Sequence, residues 1–148
     1  MSFRRPDSKI CPFSELEKLG AHLRSQRIVT TNGCFDILHL GHIQYLNDAK
    51  SLGDTLIVGV NSDAPVKKIK GPSRPLHTEN VRALQVAALE CVDHVVIFHE
   101  DTPLEFIRRI KPKIHVKGGD YSGKQIPEAA LMKELGGELK LRTHIPGF

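Results

Sequence analysis

An α/β fold with a central parallel sheet covered by helices on both faces is what this sequence predicts, and three observations carry that reading. Short β-branched runs alternate along the chain with helical patterns. The runs are apolar nearly throughout, as in strands buried on both faces, rather than at every second position. Each run leads through a loop into a helix, the order a parallel crossover requires. The expected architecture is a Rossmann-like three-layer sandwich.

Taken in order, Ser14 stands three residues before Glu17 and ahead of Leu16, Leu19 and Leu23, which reads as a capping box opening an amphipathic helix that ends near Ser25. Ile28 to Thr31 is the first sheet strand, and Thr55 to Val60 and His94 to Phe98 are the next two. Helices are expected at His42 to Leu52, at Glu79 to Leu89 and at Pro103 to Ile110. In the last of these Thr102 is the expected cap, with Pro103 in the first turn and Glu105 completing a box. Ile114 to Val116 reads as a fourth strand. A helix from about Pro127 to Leu135 stops at Gly136 and Gly137, before a strand from Glu138 to Arg142. The stretch from Asn61 to His77, rich in Pro, Gly and charge, reads as a long working loop.

With 148 residues the chain has the size of one domain, so residues 1–148 are expected to form a single unit in which 1–26 are an N-terminal extension and helix. No apolar run approaches the roughly 20 residues of a membrane span. Met1 to Pro12 carries basic residues without an apolar stretch after them, unlike a secretory signal. The expected location is the cytoplasm, without a membrane partner. Cys11, Cys34 and Cys91 form no CxxC pair and are expected as free thiols. A net charge of +4 suits a polyanion, but aromatic residues make up only 5% and none is interleaved with a basic stretch. That pattern excludes a base-stacking nucleic-acid surface and favours small phosphates.

In a parallel α/β sheet, ligands bind outside the carboxyl ends of the strands, and three of the loops there carry chemistry. The first, Thr31-Asn32-Gly33-Cys34-Phe35-Asp36-Ile37-Leu38-His39-Leu40-Gly41-His42, runs from a strand into a helix. With His42 in the first helical turn, His39 and His42 point to the mouth of the sheet beside backbone N–H groups that lack intrahelical partners. Gly41 keeps the helix end open to a phosphate, and Gly33 lets the loop turn close to the ligand. The glycine patterns of dinucleotide-binding sites and of P-loops are both missing. Metal ligation by Cys34, His39 and His42 ranks last, because a zinc site would want a fourth ligand or water and a clearer spacing; no metal-binding residue is assigned. Asp36 reads as bracing for the loop.

The second loop crowds Lys67, Lys68, Lys70 and Arg74 onto a backbone stiffened by Pro65, Pro72 and Pro75, so that it could close over a triphosphate. Arg82, in the next helix, has no assigned role. In the third, Lys117-Gly118-Gly119-Asp120, the paired glycines allow backbone contact with a base or ribose and Asp120 can accept from hydroxyls.

The Gly-x-Phe-Asp-x-x-His-x-Gly-His loop from Gly33 to His42 resembles the signature of the cytidylyltransferase-like nucleotidyltransferases. Four further blocks, Val60 to Asp63, Lys70-Gly71 with Arg74-Pro75, Glu100 to Pro103, and Lys117 to Tyr121, make the stretch from about Ile28 to Arg142 most similar to the adenylyltransferases of ADP-heptose synthesis. The resemblance implies catalytic roles for His39, His42 and Lys70. It implies nucleotide contacts from Thr31, Asn32, Gly33, Phe35, Gly41, His42, Lys68, Gly118 and Asp120, and contacts to the acceptor from Asp36, Arg74, Asp120 and Tyr121. The reaction it implies joins AMP from ATP, with Mg²⁺, to a sugar 1-phosphate, D-glycero-β-D-manno-heptose 1-phosphate, for lipopolysaccharide core or related glycans. It also implies a homodimer. Glycerol-3-phosphate cytidylyltransferase and FMN adenylyltransferase are the alternatives that share the loop, and a nucleotide-binding module without turnover is the alternative of another class. Relatives continue past the last strand with a Ser/Thr-rich turn and a helix that holds the triphosphate. Here the sequence ends at Ile145-Pro146-Gly147-Phe148, so that contact is expected to be absent.

Overall fold

A computed structural model describes residues 3–119 and 126–142, and among these residues the chain forms five β-strands and six α-helices. The strands are β1 (Ile28–Gly33), β2 (Thr55–Asn61), β3 (His94–Phe98), β4 (Ile114–Gly118) and β5 (Glu138–Arg142). The helices are α1 (Leu16–His22), α2 (Leu40–Lys50), α3 (Asp63–Lys70), α4 (Glu79–Ala87), α5 (Leu104–Ile110) and α6 (Pro127–Glu134). The strands form one sheet in the order β3-β2-β1-β4-β5, and every pairing is parallel.

Alternation along the strands divides the apolar residues between two faces. Val29, Leu56, Val58, Val60, Val95, Ile114 and Val116 face Leu46 and Ala49 of α2 and Ala83, Val86 and Ala87 of α4. Ile28, Ile57 and Val96 face Leu16 of α1, Phe106, Ile107 and Ile110 of α5, and Leu131 and Met132 of α6. The three-layer sandwich follows from that division. Ahead of α1, residues 10–11 lie along the outer edge of β3, where Ile10 bridges to Val95 and the Cys11 N–H donates to the Val95 carbonyl at 2.7 Å.

The chain progresses from β1 through β2 to β3 on one side and then returns to place β4 on the other side of β1. The reversal puts a switch point, where side chains can diverge around a ligand, between β1 and β4. The pairing of these two strands covers Val29–Thr31 against Ile114–Val116, although β1 runs on to Gly33 and β4 to Gly118. At the last paired residues the Thr31 hydroxyl donates to the Val116 carbonyl at 2.8 Å, and Tyr45 of α2 sets its hydroxyl 2.7 Å from Thr31 Oγ1 and 3.1 Å from the same carbonyl. A cleft opens beyond this wedge.

Three local expectations are corrected. The Ser14 capping box does not form, because residues Phe13–Glu15 make a 3₁₀ turn and Glu15 becomes the N-cap of α1 without a side-chain bond. Thr102 is likewise displaced as a cap by Pro103, and α5 starts at Leu104. The stretch read as a loop from Asn61 to His77 contains α3, which buries Pro65 and Val66. Pro65 lies in the first turn, where its missing N–H removes no intrahelical bond.

Candidate active site

The cleft is a cavity of about 490 Å³ lined by the loop after β1, the start of α2, Lys70 at the end of α3, Arg74, Gly118 of β4 and Arg142 of β5. Its centre is a pair of histidines that cap α2 reciprocally. His39 is the N-cap, in extended conformation, and its Nδ1 accepts the Gly41 N–H at 3.1 Å, while Nδ1 of His42 accepts the His39 N–H at 3.4 Å. The two rings stack with centroids 3.9 Å apart. A nitrogen that accepts an N–H carries no proton, so in the neutral rings the proton of each sits on Nε2. The helix end thereby fixes both tautomers, and both rings line the cavity beside the positive end of the α2 dipole.

Phe35 holds this arrangement from the side, its ring meeting that of His42 edge-on at 5.4 Å. To do so the residue adopts φ 49, a left-handed conformation that costs a non-glycine residue on the order of 1–3 kcal/mol. A Cβ at position 33 would lie 2.9 Å from the Phe35 ring, so the glycine is needed for the ring to occupy its place.

Asp36, 3% exposed, has its carboxylate engaged from within the protein. It accepts Arg74 Nε at 2.5 Å and the backbone N–H groups of Leu76 and His77 at 2.9–3.1 Å. Burial alone would raise its pKa; the two backbone donors and the Arg74 guanidinium overcome that and hold the carboxyl at about 2. The bond also orients Arg74: with Nε anchored, its position on the cavity wall is set by a buried group. Asp36 contributes stability that is complete above pH 3.8 and is lost as pH falls toward 2.

Arg82 is fully buried and does not itself line the cavity. Nη1 donates to the carbonyls of Cys34 and Asn61, each at 2.7 Å, Nε to the carbonyl of His77 at 3.0 Å, and Nη2 to Asp63 Oδ1 at 2.7 Å. At the other end of the cleft, Gly118 sits against Tyr45: a Cβ there would approach the phenol ring to 3.1 Å. Arg142, beside Gly118 in the register, pairs with Asp48 of α2.

Of the residues named from sequence, Asn32, Gly33, Phe35, Asp36, His39, Gly41, His42, Lys70, Arg74 and Gly118 all line the cavity. Thr31 lies beneath it, fully buried, with its hydroxyl committed to Val116. Lys68 points elsewhere, into an open depression with Ala64 and Pro72, and pairs with Asp101 at 3.0 Å. Asp120 and Tyr121 lie outside the described residues. Sequence reasoning passed over Tyr45 and Arg142. Tyr45 stands three residues after His42 and could have been placed by helical spacing; nothing in the sequence marks Arg142.

Among the described residues no group of three or more His, Cys, Asp or Glu is arranged to hold a metal ion. Both Nδ1 atoms of the histidine pair are engaged with backbone, and Asp36 is engaged with Arg74. Chemically, the cleft offers ring N–H groups, an ammonium and guanidinium groups around a volume suited to a small molecule, which is an arrangement for polyanions.

A family model described as cytidylyltransferase-like matches residues 30–142. The bifunctional protein HldE of a Nitratiruptor species is 58% identical over 125 residues, 83% of this chain and 27% of that protein. The bifunctional protein HldE of Aliarcobacter butzleri is 51% identical over 143 residues, 95% of this chain and 29% of its own length. The chain thus spans less than a third of these curated relatives. Among solved structures, the lipopolysaccharide core biosynthesis protein from Thermoplasma volcanium superposes with a TM-score of 0.66 at 32% identity, covering 81% of this chain and 97% of that one. The pantoate-beta-alanine ligase from Francisella tularensis, at 16% identity, shares the fold, with a TM-score of 0.64, 90% of this chain and 66% of its own being covered.

Proposed function

We propose, from the premise that this chain belongs to the cytidylyltransferase-like family, that it is an adenylyltransferase: it transfers AMP from ATP to D-glycero-β-D-manno-heptose 1-phosphate, giving ADP-heptose and pyrophosphate. The observation that carries the reading is the reciprocal histidine cap, with Lys70 and Arg74 on the same cavity. The sugar and its use in lipopolysaccharide core synthesis are supported by the names of the relatives at 58% and 51% identity and of the structure at 32%.

In this reading an oxygen of the sugar phosphate attacks the α-phosphorus in line. The bond from that phosphorus to the bridging oxygen breaks, and its electron pair leaves on pyrophosphate. The attacking oxygen is already ionised, so no base is needed, in keeping with an Asp36 that braces the loop. Negative charge grows on the α-phosphoryl and bridging oxygens, where Nε2–H of His39 and His42 would donate and Lys70 and Arg74 would neutralise. Mg²⁺ carried by ATP would supply the counterion of its phosphates. Thr31 would serve the nucleotide pocket indirectly, through the wedge with Tyr45, while Gly118 and Asn32 would meet the nucleotide itself. No helix among the described residues is long and apolar enough to cross a membrane, and the reading places the reaction in the cytoplasm. It also takes the chain as a homodimer, joined through exposed Leu40, Ile43, Val81 and Leu84 of α2 and α4, which sedimentation velocity would show as a doubled mass.

The test is pyrophosphate release with Mg²⁺ for ATP, CTP or GTP against heptose 1-phosphate, glycerol 3-phosphate or FMN. Signal with ATP and heptose 1-phosphate alone is the expected result; another active pair replaces the substrates, and nucleotide binding without release replaces the enzyme by a binding module. Gly33→Ala provides a second check on the site. The added methyl must displace the Phe35 ring and with it His42, and turnover is expected to fall roughly 10²-fold, with ATP affinity less affected.

A further inference from the structure

We infer that Arg82 is a positioning residue for the transfer, acting through the three backbone segments that carry the cavity's donors. This rests on the functional reading above for its kinetic part only. The guanidinium is fully buried, so it contacts no substrate. Its four bonds end on three supports of the cleft. Cys34 belongs to the loop that leads to His39 and His42. Asn61 ends β2, and Asp63 opens α3, whose last residue is Lys70. His77 closes the loop that carries Arg74, and its N–H is in turn held by Asp36.

The histidine pair, the lysine and the arginine thus sit on segments far apart in sequence that converge on one planar, rigid group. Asp36 and Arg82 form a double clamp: the carboxylate of the first loop takes N–H groups of the second, and the guanidinium takes a carbonyl from each. A guanidinium presents donors along fixed, divergent directions, whereas an ammonium is a point with three donors. Lysine can keep the pair with Asp63 but cannot span the same carbonyls. The net effect of the fork is geometric, and geometry is what an in-line transfer between two bound anions demands.

The experiment compares wild type with Arg82→Lys by steady-state pyrophosphate release and by amide hydrogen exchange. Expected are losses of kcat and kcat/KM together, on the order of 10²-fold. The amides of Leu76 and His77, which Asp36 holds, should exchange at least about tenfold faster, while those of Val58 and Val96 in the central strands keep their wild-type rates. Wild-type kcat in the variant overturns the inference. So does exchange that rises evenly through loops and strands, since that is the signature of a residue that only stabilises the fold. If Arg82→Lys does not fold, Asp63→Asn takes its place, with the same selective pattern expected at smaller amplitude and the same overturning results. A wild-type protein that releases no pyrophosphate with any substrate pair sinks the adenylyltransferase reading, and the exchange pattern still decides whether Arg82 sets the loops.

Discussion

Replacing His39 or His42 by alanine is expected to cut turnover by on the order of 10²–10³, the usual cost of removing one oriented donor to a developing oxyanion. Each imidazole does two jobs, and the variants can be chosen to separate them. Through Nδ1, His39 caps α2, and losing a cap costs about 1 kcal/mol of stability. Through Nε2 it would, in the proposed mechanism, donate to the reacting phosphate. Asparagine is a good N-cap whose short amide can accept the Gly41 N–H but does not extend to where Nε2 lies. His39→Asn is therefore expected to unfold in urea close to wild type and yet to lose the same two to three orders of magnitude in kcat, whereas His39→Ala loses both. An active His39→Asn would reduce the residue to a helix cap and remove the proposed electrophilic pair. ATP binding, measured by calorimetry, is expected to change much less than kcat in either case, because the donors act most strongly on charge that appears only in the transition state.

The second large effect concerns acid. His115 of β4 is fully buried, its Nδ1 is 2.8 Å from Thr30 Oγ1, and Nε2 is, among the described residues, the one buried side-chain polar atom without a hydrogen-bond partner. Burial, aided by the charge of Lys117, pushes its pKa down to about 3 from 6.5. The unfolded chain therefore takes up a proton between pH 6.5 and 3 that the folded chain refuses. Stability is complete above pH 6.5 and falls at about 1.4 kcal/mol per pH unit below it, until the folded value is reached. His94, whose pKa burial also lowers, adds to the slope with the same sign. Urea titrations between about pH 7 and 4 should give that slope for wild type. For His115→Asn, which keeps a polar atom facing Thr30, a lower but much flatter line is expected. An unchanged slope in the variant would assign the acid lability to other groups.

The parts of the molecule that can be read from sequence are those encoded over short distances. The strands at His94–Phe98 and Glu138–Arg142 have the bounds expected of them, the first as a short apolar run and the second because Gly136 and Gly137 end the helix before it. The histidine cap is legible for the same reason, since its atoms lie within four residues. The failures have tertiary causes. Ser14 and Thr102 have the chemistry of caps, but the path of the chain into each helix puts the cap one residue later. Reading the stretch after β2 as a loop treats its lysines as one crowd. As a helix it separates Lys68 from Lys70 by two residues, which lie on different sides of the axis, so one meets Asp101 and the other the cavity. The double clamp is out of reach altogether, because Asp36 and Arg74 are 38 residues apart and Arg82 and Cys34 are 48 apart. Nothing local distinguishes a buried arginine in α4 from one on its surface.

The strip of chain beside β3 bears on how copies of the protein can meet. Backbone groups on the rim of a sheet invite strand-to-strand joining, the route to fibres. On the β3 side that rim is already occupied at Val95 by residues 10–11. On the opposite rim β5 places Glu138, Lys140 and Arg142 at every second position, a guard of charged side chains against an incoming strand. Growth by sheet extension is thereby discouraged in both directions, which leaves the side chains of the helical layers as the surface for the proposed dimer.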